Sequence, residues 1–186
     1  MNKKNPLQIC YIVFISLVPM VFSGCQMTSL FSSPIQKRGV SGFFKDTVLR
    51  AKIEKNIFLQ YDGSVSLLID GGRVMIVGSV KTDQDKKKII DTLKNMPEVK
   101  AIFDHLSIGK AAENPLNDTY LSQTLQSKLF FDTRISSQNY HITSWNKTIY
   151  ILGKASCEQE KRWVLEHGEA MKIRHLISEI NSQPGT

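Results

Sequence analysis

Apolar positions recur in a fixed order along this chain. Val48, Leu49, Ile53 and Ile57 form a stripe at helical spacing, which predicts an amphipathic helix over residues 44–58. Residues 64–69 then read as a strand. Asp70-Gly71-Gly72 reads as a tight turn whose glycines supply positive φ angles, and residues 73–80 as the hairpin partner. Val74, Ile76, Gly78 and Val80 share one face of that partner strand. Thr82, with Asp85 three residues on, marks a capped start for a helix over 83–95. Pro97 stops that helix, and residues 99–108 read as a third strand. The order is helix, strand, strand, helix, strand. Two helices packed on one face of a three-stranded mixed sheet give an α+β sandwich.

The whole order then returns. Val74-Met75-Ile76-Val77-Gly78 is echoed by Ile149-Tyr150-Ile151-Leu152-Gly153 at an offset of 75, and Thr82 to Lys86 by Cys157 to Lys161 at the same offset. Upstream, Asp46-Thr47 with Leu49, Ile53 and Ile57 is echoed by Asp118-Thr119 with Leu121, Leu125 and Leu129 at an offset of 72. Downstream, Val99, Ile102 and Leu106 are echoed by Ile173, Leu176 and Ile180 at 74. Such self-similarity sets the domain count. Two tandem domains are expected, 44–110 and 118–181, with a linker at 111–117, a tail at 182–186 and about three extra residues in the first half of copy two. Copy two should place helices at 119–131 and 158–171, and strands near 140–144, 148–155 and 173–180. Its hairpin uses Trp145-Asn146-Lys147 in place of the glycine pair. Glycine inside a strand marks close backbone approach. Gly78 and Gly153 are therefore expected to let the first helix of each copy pack tightly on its sheet, and Gly168 to loosen the second helix of copy two.

The residues ahead of the repeat bear on where the protein resides. Lys3 and Lys4 precede an apolar run over 7–22, too short for the roughly 20 apolar residues of a spanning helix. Residues 1–24 thus read as a secretory signal. It closes on Phe22-Ser23-Gly24-Cys25, which resembles the bacterial lipobox and makes Cys25 the expected acylation site. The plainer alternative is an ordinary cleaved signal in which Cys25 is incidental. Several acyl chains anchor a protein stably where one does so only marginally. Gln26 follows the cysteine, where Asp would signal inner-membrane retention, and so leans toward the outer membrane. Residues 25–43 read as a flexible tether, with an end-to-end distance on the order of 25 Å.

Charge and cysteine content mostly exclude. The formal net charge of +7 includes Lys3 and Lys4. Residues 44–109 carry eleven basic and nine acidic side chains, and residues 118–181 carry eight and seven. Neither copy concentrates positive charge as a nucleic-acid binder does, so no nucleic-acid partner is expected. Cys10 would leave with the signal and Cys25 would be acylated, which leaves Cys157 without a partner for a bridge. Glu158 and Glu160 beside it would raise a thiol pKa, which suits a small semi-buried residue better than a reactive thiolate. His105, His141, His167 and His175 have no metal-ligand spacing, and no nucleophile or carboxylate pair stands in a catalytic motif. No catalytic residue, cofactor or metal is expected.

The run Gly72-Arg73-Val74-Met75-Ile76-Val77-Gly78-Ser79-Val80, followed by a helix and then Val99, Ile102, Leu106 and Ile108, resembles a BON domain. Ile149, Ile151, Gly153 and Ala155 carry the likeness into copy two. Two such domains behind a lipobox resemble the dual-BON outer-membrane lipoproteins. The resemblance implies a non-enzymatic, lipid-anchored envelope protein with its domains facing the periplasm. It also implies that the first helix of copy two binds anionic phospholipid in support of outer-membrane integrity. At the place of a Trp in that family helix stands Tyr120. Tyr120, Thr124, Lys128, Phe130 and Phe131 are the candidate membrane contacts, while Leu121, Leu125 and Leu129 should face the core. The family's helix carries several basic residues and this one only Lys128, which leaves lipid selectivity open. Other readings stand beside these. Tyr120, Phe130 and Phe131 could pack against the other domain, and Trp145 could staple the domains or touch the membrane. Lys86-Lys87-Lys88 suits a solvated face better than a headgroup patch. The domains could instead be a protein-interaction module, accessory to outer-membrane protein assembly.

Overall fold

The computed structural model of the chain describes residues 40–57 and 63–182. The expected signal, Cys25 and most of the expected tether lie outside the described residues. Copy one consists of α1 (Val40–Ile57), β1 (Gly63–Asp70), β2 (Arg73–Val80), α2 (Asp83–Lys94) and β3 (Ala101–Ile108). Copy two consists of α3 (Pro115–Phe131), β4 (Tyr140–Trp145), β5 (Thr148–Ala155), α4 (Glu158–Glu169) and β6 (His175–Ser182), with a 3-10 turn over Ser137–Asn139. Both first helices start earlier than their apolar stripes indicate. α1 begins in the segment that reads as tether, and α3 in the segment that reads as linker. Asn114 caps α3 by accepting from the Asn117 N–H at 3.0 Å, and Pro115 occupies a first-turn position that needs no N–H donor. Neither signal is apolar, so periodicity alone does not see it.

In each copy the central strand comes second in the chain. β2 runs antiparallel to β1 and parallel to β3, and β5 stands in the same relation to β4 and β6. The helix-facing core of copy one joins Leu49, Ile53 and Ile57 of α1 to Val74, Ile76 and Val80 of β2 and to Ile89 and Leu93 of α2. Copy two repeats this with Leu121, Leu125, Leu129, Ile149, Ile151 and Val164. The Thr82 cap also forms: its hydroxyl accepts from the Asp85 N–H at 3.1 Å.

The opposite faces of the two sheets are buried as well, against each other. Leu68, Met75 and Val77 of copy one pack with Tyr150 and Leu152 of copy two, flanked by Phe103, Trp145 and Ile177. β2 and β5 are therefore covered on both faces, the situation that produces unbroken apolar runs such as Val74–Val77. Polar contacts close the seam. The Arg73 guanidinium is held by Asp70 and donates to the carbonyls of Gly153 and, at 3.0 Å, Glu179. The His105 ring lies 5.1 Å from that of Tyr150.

A second device recurs in both copies and explains the repeated Asp-Thr pair. Asp46 on α1 accepts from the backbone N–H groups of Gly71 and Gly72 at 2.7 and 3.1 Å, capping the hairpin turn. Asp118 on α3 does the same for Asn146 and Lys147, both at 2.8 Å, and also accepts from the Ser144 hydroxyl. Both turns need two successive positive φ angles. Copy two supplies them with Asn146 (49°), a residue type that tolerates this region, and Lys147 (61°), which holds it at some cost.

The strand glycines act differently from the sequence expectation. A Cβ on Gly78 would lie 2.0 Å from the Ser64 carbonyl oxygen of β1, and one on Gly153 would lie 2.4 Å from that of Asn139. Both let the neighbouring strand's backbone approach closely, rather than a helix. Gly168 does not loosen α4 but lets it settle on β6, where a Cβ would meet the Leu176 side chain at 2.8 Å.

Candidate functional site

Helical geometry sorts the side chains of α3. Leu121, Leu125 and Leu129, four apart, are buried on the sheet. Tyr120, Thr124 and Lys128, also four apart, line an open groove of about 810 Å³ together with Phe131. Three of the candidate contacts are among the most exposed apolar side chains described: Tyr120 at 66%, Phe130 at 70% and Phe131 at 80%. Phe130 and Phe131 meet edge to face, with ring centroids 5.4 Å apart. Leu116, one turn before Tyr120, is 84% exposed and extends the apolar strip; it is absent from the sequence candidates. Burying large apolar side chains is worth about 1.5–3 kcal/mol each. Four such side chains thus stand in water along α3.

The far end of the groove is polar and was not legible in the helix sequence. Asp132, directly after α3, accepts from Arg134 Nε at 2.9 Å and Nη2 at 2.7 Å, and pairs with His167 Nε2 of α4 at 2.9 Å. The Arg134 guanidinium and then His167 hold the Asp132 carboxyl well below the usual carboxylate range. The guanidinium also sits 4.7 Å over the Trp163 ring, a cation–π contact. Arg134 and His167 therefore stand beside Lys128 in the same groove. Arg134 stands in the segment between α3 and β4, whose three extra residues show in sequence only as an offset that changes from 72 to 75, while His167 comes from α4.

The competing readings separate cleanly. α3 packs on the helix-bearing face of its sheet while the domains meet through the other face. Tyr120, Phe130 and Phe131 therefore do not pack against copy one. Trp145 does belong to the seam. Lys86 leaves the solvated face expected of the lysine run: its ammonium donates to the Leu106 carbonyl at 2.7 Å and pairs with Asp104 at 2.9 Å. Cys157 is a half-buried free thiol at the start of α4. Among the described residues no helix is long and apolar enough to cross a membrane.

The repeated helix, hairpin, helix and parallel third strand agree with a family comparison. The family model for the BON domain matches residues 45–110. The matched residues are those of copy one. Copy two repeats its element order and strand register throughout. Outer membrane lipoprotein DolP of Haemophilus influenzae is 23% identical over 109 residues, which cover 58% of this chain and 56% of the relative. The match thus spans little more than half of that relative's length. A protein of Anaplasma centrale, named for the gshII 5′ region, is 22% identical over 140 residues, covering 73% of this chain and 93% of the relative. The C-terminal domain of CdsD, a structural protein of the type III secretion system of Chlamydia trachomatis, is 14% identical. That match covers 73% of this chain and 98% of the domain at a TM-score of 0.31, too loose to bear on the BON assignment.

Proposed function

We propose that this is a non-enzymatic, lipid-anchored envelope protein whose second BON-like domain binds phospholipid through the outward face of α3. The observation that carries the reading is the strip of Leu116, Tyr120, Phe130 and Phe131, exposed while Leu121, Leu125 and Leu129 of the same helix are buried. Tyrosine suits such a surface, having an apolar body and a polar tip that tolerates the headgroup zone. The relation to an outer membrane lipoprotein supports the rest. On this reading residues 1–24 are a signal, Cys25 is acylated, and a tether holds the two domains at the periplasmic side of the outer membrane. Domain boundaries at 44–110 and 118–181 belong to the same proposal. Supporting membrane integrity is the role that fits a lipid-bound module with no reaction to perform.

Flotation of the chain from Gln26 onward with phospholipid vesicles tests the binding. Tyr120→Ala and Phe131→Ala should each weaken binding about tenfold, the loss of one inserted aromatic side chain. Absence of binding to vesicles of any composition would overturn it. A protein partner in outer-membrane protein assembly would then become the target of the same face.

A further inference from the structure

The polar end of the α3 groove deepens this reading and rests on it. We propose that Arg134 is the phosphate-recognising residue of copy two, reading the phosphodiester of a lipid whose apolar part lies over Tyr120 and Phe131. A guanidinium offers two donor edges. The Nε–Nη2 edge is committed to Asp132, and one planar face lies over the Trp163 ring. Nη1 makes no hydrogen bond, and the Glu166 carboxylate of α4 acts on the guanidinium through charge alone, so the Nη1–Nη2 edge suits bidentate contact with two phosphate oxygens. Asp132 does not compete for that place. Its oxygens already accept from the Arg134 backbone, from Nε and Nη2, and pair with His167, and its side chain is only 10% exposed, against 55% for Arg134. The carboxylate thus anchors the guanidinium from behind, and Asp132 and Trp163 are positioning residues. Lys128 adds a second cation on the same groove. A glycerol headgroup has no ammonium of its own to draw Asp132 or Glu166, and it leaves Arg134 and Lys128 to meet the phosphate. The selectivity that the helix sequence leaves open is supplied by a residue beyond the helix.

The same phosphate chemistry occurs in a lipid headgroup and in a soluble glycerol phosphate, and the test distinguishes them. Partition of the chain from Gln26 onward is measured on phosphatidylcholine vesicles with and without phosphatidylglycerol, for the unaltered chain, Arg134→Gln and Arg134→Lys. The Arg134 side chain is half exposed, so these variants keep the fold, which a melting curve checks. The preference for phosphatidylglycerol should fall about five- to tenfold in Arg134→Gln, the effect of one cation at an anionic surface. Arg134→Lys should recover only part of it, because an ammonium lacks the fork. The Arg134 Nε NMR signal should move with phosphatidylglycerol vesicles and stay put with glycerol 3-phosphate. Movement with glycerol 3-phosphate alone would keep Arg134 as the phosphate site and assign it to a soluble ligand. Vesicle binding with an unchanged preference in Arg134→Gln would overturn the inference while leaving the aromatic face intact. With no vesicle binding and no Nε response, both fall.

Discussion

In copy one the first helix ends at Ile57 and the first strand begins at Gly63, whereas in copy two the helix ends at Phe131 and the strand begins at Tyr140. The helices on either side are otherwise equivalent. Phe44 and Val48 are exposed on α1 at the very positions, 72 residues earlier, where Leu116 and Tyr120 are exposed on α3. Both copies thus present an apolar pair at the start of the first helix. Copy two follows it with Lys128, where copy one has Asn56, and with a connection that sets Arg134 on Trp163. Each copy has a groove beside its first helix, lined in copy one by Phe44, Val48, Lys45 and Lys100, and in copy two by Tyr120, Phe131, Lys128 and Arg134. A small length change between repeats can thus place a charge that the helix itself does not carry.

The comparison can be tested hardest at the paired glycines. Gly78 combines a φ of +138° with a Cβ clash of 2.0 Å, while Gly153 faces only the clash. Gly78→Ala should cost about 3–5 kcal/mol, strain added to overpacking, and Gly153→Ala about 1–3 kcal/mol, read from chemical denaturation. Equal costs would mean that the two strands bend for the same reason.

The helix-to-turn carboxylates come next. Asp118 is buried with three donors, and Asp46 is partly exposed with two. Asp118→Ala should lose about 2 kcal/mol and Asp46→Ala about 1 kcal/mol, because water reaches the second turn's donors more readily. Thermal melts of the two variants would show it.

The smallest effect concerns pH. His105 and Glu179 occupy equivalent positions in the two third strands and approach each other across the seam. Burial, the largest influence, pushes the His105 pKa below its ordinary value, against the pull of Asp104 and Glu179 and with a smaller push from Lys86. As pH falls below about 6.5, the unfolded chain takes up a proton that folded His105 resists. Stability should therefore decline with falling pH and level off below the folded pKa. The melting temperature between pH 7.5 and 5 should slope less in His105→Asn than in the unaltered chain.

Much of the fold can be read directly from the chain, because the apolar stripes, the Asp70-Gly71-Gly72 turn and the Thr82–Asp85 cap are local signals. The α3 face is legible for a related reason: four-residue spacing separates Tyr120, Thr124 and Lys128 from Leu121, Leu125 and Leu129. The seam is harder to see. Met75, Val77, Tyr150 and Leu152 announce a doubly buried strand, but an unbroken apolar run does not say what covers its second face. Arg134, Trp163 and His167 are separated by up to 33 residues and meet only once α4 packs beside α3. The purpose of Gly78 and Gly153 was also hidden, since close approach by a strand and by a helix leave the same mark in a sequence.

The seam has a consequence for experiment. Each copy covers a sheet face of the other, so neither half keeps its present surface when cut from its twin. A fragment carrying copy two alone would bare Tyr150, Leu152 and Ile177 and stick to membranes through a surface the whole protein never offers.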